Sequence, residues 1–161
     1  MDTHSLRSFP DAISQISFHV SNYNGVSFHI LLNCARRTKR IRITISGKDC
    51  ISPHHVLTPE ACDDLQANSM EFPISPPAYE QLLARMDEIG VYRWKKRYFA
   101  DSYPPMQWSL SVSRTRGESV FSSGVSAYPE EWDSLIAVWN TFTRLDQIIL
   151  ISRRRFASGT E

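Results

Sequence analysis

Thiolates and imidazoles are suitable zinc ligands, and Cys50, His54, His55 and Cys62 fall in one loop. Their spacings match neither a zinc finger nor a zinc ribbon, so no metal is assigned to them. Gly124-Val125-Ser126 lies between a strand pattern and a helix pattern, the setting of a hydrolase nucleophile elbow. Tyr128, however, stands where G-x-S-x-G needs its second glycine, and no parallel βαβ series surrounds it, so Ser126 is expected to serve a turn or a cap. His19 and His29 form a third candidate: two imidazoles held across a strand pair disfavour double protonation and could titrate near neutrality. A fourth is the dense basic set Arg36, Arg37, Lys39, Arg40 and Arg42, suited to an acidic protein surface or to phosphates through charge-assisted hydrogen bonds. Asp63-Asp64 and Glu130-Glu131 are adjacent pairs whose members point in different directions on a helix, so neither is an acid/base dyad. No P-loop, dinucleotide fingerprint, H-E-x-x-H or calcium loop is present. No catalytic residue and no cofactor are therefore expected.

The elements that must position these residues follow from side-chain periodicity. Ile16, Phe18 and Val20 alternate with polar residues, and Val26, Phe28, Ile30 and Leu32 do the same after Tyr23-Asn24-Gly25. A two-residue Asn-Gly turn would put the two apolar sets on opposite faces. A three-residue loop with Gly25 in the left-handed position pairs Val20 with Phe28, Phe18 with Ile30 and Ile16 with Leu32, and keeps one apolar face. That register sets His19 opposite His29 on the outer face. Ile41, Ile43 and Ile45 alternate with Arg40, Arg42 and Thr44, completing a meander over about residues 14–45.

Residues 46–75 carry Pro53, Pro59 and Pro73 and read as a long connection with a short helix capped by Thr58. A helix over about 76–90 follows Ser75, with Tyr79, Leu82, Leu83, Met86 and Ile89 at helical spacing and Gly90 ending it. Met106, Trp108, Leu110 and Val112 alternate with polar residues into a second hairpin, about 106–123, around Thr115-Arg116-Gly117. In it Arg114 faces Glu118 and Val112 faces Val120. Pro129, Glu130 and Glu131 are read as the first turn of a helix over about 129–146, with Trp132, Leu135, Ile136, Trp139 and Phe142 as its stripe. A basic tail, Arg153-Arg154-Arg155, closes the chain.

From Gln107-Trp108-Ser109-Leu110 to Gly124-x-x-Ala127-Tyr128-Pro129 and Trp132 the chain resembles small bacterial α+β proteins of unassigned function. They too have a Trp strand and hairpin leading into a Gly-x-x-Ala-Tyr-Pro helix start. The resemblance covers about the last third of the chain, with the preceding helix and Tyr92-x-Trp94, and implies a fold and no reaction. At Tyr103-Pro104-Pro105-Met106 the chain departs from the Asp-Gly such sequences carry before the Trp strand.

The 161 residues suit one domain, 1–161, and 42% hydrophobic with 22% charged residues is ordinary for a packed globular chain. A formal net charge of +1 creates no overall pull toward nucleic acid or anionic membrane. Three cysteines without C-x-x-C pairing suit a reducing compartment. The absence of a signal pattern or a membrane-length apolar run then gives a cytoplasmic expectation. The fold expected is α+β: an antiparallel twisted sheet of two hairpins or meanders with two main helices packed on one face. By elimination the function expected is a small protein-binding module of the immunity-protein or phage-inhibitor kind. Its partner would carry an acidic surface that meets Arg36, Arg37, Lys39, Arg40 and Arg42, with His19 and His29 on the same face. The rivals are a metal-dependent or hydrolytic enzyme on the Cys50–Cys62 loop, and a structural subunit that oligomerises through a sheet edge.

Overall fold

A computed structural model describes Leu6 and residues 12–22, 27–46, 69–103 and 105–143. Among these, β1 (Ile13–Asn22), β2 (Ser27–Asn33), β3 (Lys39–Ser46), β4 (Ser69–Ile74), β5 (Arg97–Phe99), β6 (Met106–Arg114) and β7 (Val120–Val125) form one open sheet, ordered β4-β3-β2-β1-β6-β7-β5. Every neighbouring pair is antiparallel except β5 and β7, which run parallel. Helix α1 (Pro76–Ile89) follows β4, and α2 (Trp132–Thr143) follows β7. The class is the α+β arrangement that the alternation predicted.

The first hairpin has the register that keeps one apolar face: Val20 opposite Phe28, Phe18 opposite Ile30, Ile16 opposite Leu32 and His19 opposite His29. The loop that sets it, residues 23–26, lies outside the described residues. Strand β1 is central, and its other side pairs with β6, where Phe18 meets Leu110 and Val20 meets Trp108. This joins the two hairpins into one sheet. In the second hairpin Val112 faces Val120 as expected.

One sheet face carries the core. Phe18 lies 5.6 Å from Trp132 and 5.8 Å from Trp139, ring centre to ring centre, which seats α2 directly on the middle of β1. Tyr79, Leu82, Leu83 and Met86 of α1 belong to the same buried cluster. Helix α1 starts where expected: Ser75 Oγ accepts the Ala78 N–H at 3.3 Å, and Gly90, at φ 79°, gives its N–H to the Met86 and Asp87 carbonyls. A left-handed residue there closes the last turn without the cost a Cβ would bring.

Three boundaries differ from the sequence reading. Residues 69–74 are not connection but strand β4, with Glu71 opposite Arg42 and Pro73 opposite Arg40. Pro73 obscured it, yet β4 is an edge strand, where a sheet tolerates proline. Strand β5 has three residues, too few to show a period of two. The last helix begins at Trp132, not Pro129. Pro129 to Glu131 form the turn leading in, with the Trp132 N–H donated to the Pro129 carbonyl at 3.1 Å. The Thr58 helix, the Cys50–Cys62 loop, Asp63-Asp64 and the arginine tail lie outside the described residues.

The Gly-x-x-Ala-Tyr-Pro segment is a packing lock. Trp108 Nε1 donates to the Ala127 carbonyl at 2.8 Å across Gly124, where a Cβ would sit 2.2 Å from that nitrogen and 2.5 Å from that oxygen. Only glycine lets the indole reach its acceptor. Around it Trp94, Tyr98 and Trp132 stand at 6.1, 5.8 and 5.0 Å between ring centres, so one hydrogen bond orients an aromatic cluster joining β5, β6 and α2.

Candidate functional site

Parity along each strand decides what the second sheet face presents. With Ile16, Phe18 and Val20 turned to the helices, Ser17, His19 and Ser21 point away from them, and the pairings extend that choice across the sheet. One row runs Arg97, Ser123, Ser109, His19, His29, Thr44 from β5 to β3. The neighbouring rows bring Phe99, Val125, Gln107 and Ser21 on one side, and Phe121, Ser111, Ser17, Leu31, Arg42 and Glu71 on the other. No described helix covers this face.

The serine-rich middle is low, and Phe99 stands at the β5 side at 74% exposure, Phe121 on β7 at 52%. Between the short middle and the raised side, His19, Arg97, Phe99, Gln107 and Val125 enclose a groove of about 500 Å³. Tyr103, in the loop between β5 and β6, is 75% exposed. Large aromatics with an arginine beside a cleft are the residue types that dominate the energy of protein interfaces.

His19 and His29 are half-buried, with ring centres 5.9 Å apart and planes at 74°. Burial lowers the pKa of both below the ordinary 6.5, and for His29 the charge of His19 adds to the effect. The pair is therefore neutral at pH 7 rather than poised on its own titration. Ser17 Oγ lies 2.8 Å from His29 Nε2, a serine–imidazole contact of the kind that activates nucleophiles. Strands β1 and β2 are each paired on both sides, so their ladders occupy the backbone N–H groups that would have to stabilise an oxyanion there.

The structure does not place the basic set on one face. Arg40 Nε is 2.7 Å from Glu71 Oε1, and Arg42 Nη2 is 3.2 Å from Glu71 Oε2, so two of the five cations share one exposed carboxylate of β4. Those hydrogen bonds hold the Glu71 carboxyl below its usual range. Lys39 points to the helix side, its Nζ 4.9 Å from the centre of the Tyr79 ring. Arg36 and Arg37 occupy the exposed turn between β2 and β3. The expected common face is thus split three ways: Lys39 shares the parity of Ile41, Arg36 and Arg37 lie in the turn, and β4, unread in the sequence, sets a carboxylate beside Arg40 and Arg42.

Ser126 has a left-handed backbone, φ 54°, but its hydroxyl accepts the Met106 N–H at 3.2 Å and its own N–H goes to the Met106 carbonyl at 2.8 Å. It fastens the start of β6 to the end of β7, the turn role expected of it. Cys34 is buried, and burial pushes its thiol up to about 11, far from the thiolate that nucleophilic or metal chemistry needs. Among the described residues no group of three His, Cys, Asp or Glu could hold a metal ion, and no helix is long and apolar enough to cross a membrane.

Phe99, Phe121 and Arg97 were missed from the sequence. A usable signal existed for one of them: placing Val120 opposite Val112 on the apolar face forces Phe121 outward by parity. Comparison with protein-family models, with curated proteins and with solved structures finds no match to this chain.

Proposed function

We propose that this domain is a non-catalytic protein-binding module that works by forming a stoichiometric complex, in the manner of an immunity protein or a phage-type inhibitor. The observation that carries this reading is the open sheet face, where Phe99 and Phe121 stand exposed beside Arg97 and a groove on a backbone held by seven strands. Binding residues on strands lose little freedom when a partner docks, and serines between them have few rotamers to give up.

The acidic partner surface suggested by the sequence keeps a narrower basis: Arg97 in the groove, and Arg36 and Arg37 at the β2–β3 turn. Arg40 and Arg42 share the one carboxylate of Glu71, which offsets half of their charge. An edge-to-edge oligomer is less well supported, since β4 carries Pro73 and β5 is three residues long. The test is affinity capture from native lysate with identification by mass spectrometry and mass determination of the complex. One partner in fixed ratio is expected; recovery of no stoichiometric partner overturns the reading.

A further inference from the structure

At the end of the sheet where β6 turns into β7, a second groove of about 540 Å³ opens between the segment Tyr92–Lys96 and the hairpin tip. Tyr92, Trp94, Val120 and Phe121 supply apolar wall, and Lys96, Arg114 and Arg116 bring three cations against the single carboxylate of Glu118. The register places a further basic turn at this same end. Ile13 pairs with Arg114 and Gln15 with Asn33, so the β2–β3 turn bearing Arg36 and Arg37 and the β6–β7 turn bearing Arg116 leave the sheet on one side. The Thr115 N–H, donated to the Ala12 carbonyl at 2.6 Å, ties the second turn to the start of β1. Gly117, at φ 79°, lets the tip turn back beside Arg114.

We propose that this groove is a binding site for a small organic anion with a flat apolar body, an aromatic carboxylate, sulfonate or phosphate. Its size is within the range of small-molecule pockets, and its walls are apolar with a few convergent polar groups. The rings of Tyr92, Trp94 and Phe121 offer faces and edges to a planar body, and the exposed Lys96 and Arg116 with the half-buried Arg114 meet its acid group. A neutral ligand of the same shape would forgo the attraction of Lys96 and Arg116, and a cation would be repelled by them. The groove shares Phe121 with the open sheet face but neither Arg97 nor Phe99, so binding of a small anion there is tested without reference to any protein partner.

The test uses two probes with one apolar body: 1-anilinonaphthalene-8-sulfonate, which carries the anion, and N-phenyl-1-naphthylamine, which lacks it. Titration by fluorescence on the folded protein is expected to show one saturable site for the sulfonate, and much weaker binding of the amine. The Lys96→Glu/Arg116→Glu double variant should bind the sulfonate about tenfold or more weakly, because charge-assisted hydrogen bonds are the strong ones. Added salt should weaken the sulfonate and spare the amine. Near-UV circular dichroism checks that the variant is folded. The Arg97→Glu/Phe99→Ser variant, on the other groove, should bind the sulfonate as the wild type does. Equal binding of both probes, sulfonate binding unchanged in the Lys96→Glu/Arg116→Glu variant, or no saturable binding at all overturns the proposal.

Discussion

Replacing Gly124 by alanine should destabilise this protein more than any other single methyl addition on the sheet. The new Cβ would lie 2.2 Å from Trp108 Nε1 and 2.6 Å from Trp108 Cε2, and 2.5 Å from the Ala127 carbonyl oxygen, so it meets both partners of one hydrogen bond. Trp108 is buried and packed against Trp94, Tyr98 and Trp132, so displacing its ring disturbs three aromatic contacts as well as the hydrogen bond. Overpacking costs about 1–3 kcal/mol, and leaving a buried donor unsatisfied costs about 1–3 kcal/mol more, which together give about 2–6 kcal/mol. For a domain of this size about 3 kcal/mol corresponds to a melting temperature lower by about 6–12 °C. The assay is urea and thermal unfolding followed by tryptophan fluorescence. The Trp108→Phe background sharpens it: without the indole nitrogen part of the clash is gone, so the two substitutions should be non-additive by about 1 kcal/mol or more. A Gly124→Ala protein melting within about 2 °C of wild type, or the same cost in both backgrounds, would refute the lock.

Trp139→Ala removes a fully buried ring stacked over Phe18, and should cost about 3–5 kcal/mol by urea denaturation. Stability should fall as the pH drops from about 7.5 to about 5.5, because unfolded histidine takes up a proton near 6.5 while the folded His19–His29 pair resists it; the unfolded state then binds more protons. His19→Gln should flatten that slope in denaturation midpoints measured across the range. In a protein carrying serine at positions 50 and 62, Cys34 should resist iodoacetamide at neutral pH while folded and react in urea, read by peptide mass mapping. Arg36→Glu/Arg37→Glu should slow association with a captured partner while changing its dissociation little, measured by surface plasmon resonance.

How much of this was legible depends on which physical signal each residue leaves in the chain. The His19–His29 juxtaposition was readable because keeping both apolar sets on one face fixes register, and register fixes every cross-strand pair. Helix α1 was readable from Ser75 and Gly90, whose side-chain and backbone chemistry act locally. Strand β4 was not, because its place at an edge, which makes Pro73 acceptable, is a property of the whole sheet. That omission carried into the site: without Glu71 opposite Arg42, the basic residues read as one unopposed patch. Phe99 was hidden for a similar reason, since a three-residue parallel strand acquires its two faces only from pairing with β7. The spacing Gly124-x-x-Ala127 was visible, but its meaning, an indole passing over a bare backbone, is a three-dimensional fact.

The most direct measurement for the open face is the affinity of the captured partner for wild-type protein and for the Arg97→Glu/Phe99→Ser variant, by titration calorimetry at matched melting temperature. Docking on that face predicts a 1:1 complex with the wild type and a loss of about tenfold or more in the variant, as expected when an exposed aromatic and arginine anchor an interface. Equal affinity for both proteins would contradict it and place the contact elsewhere on the molecule.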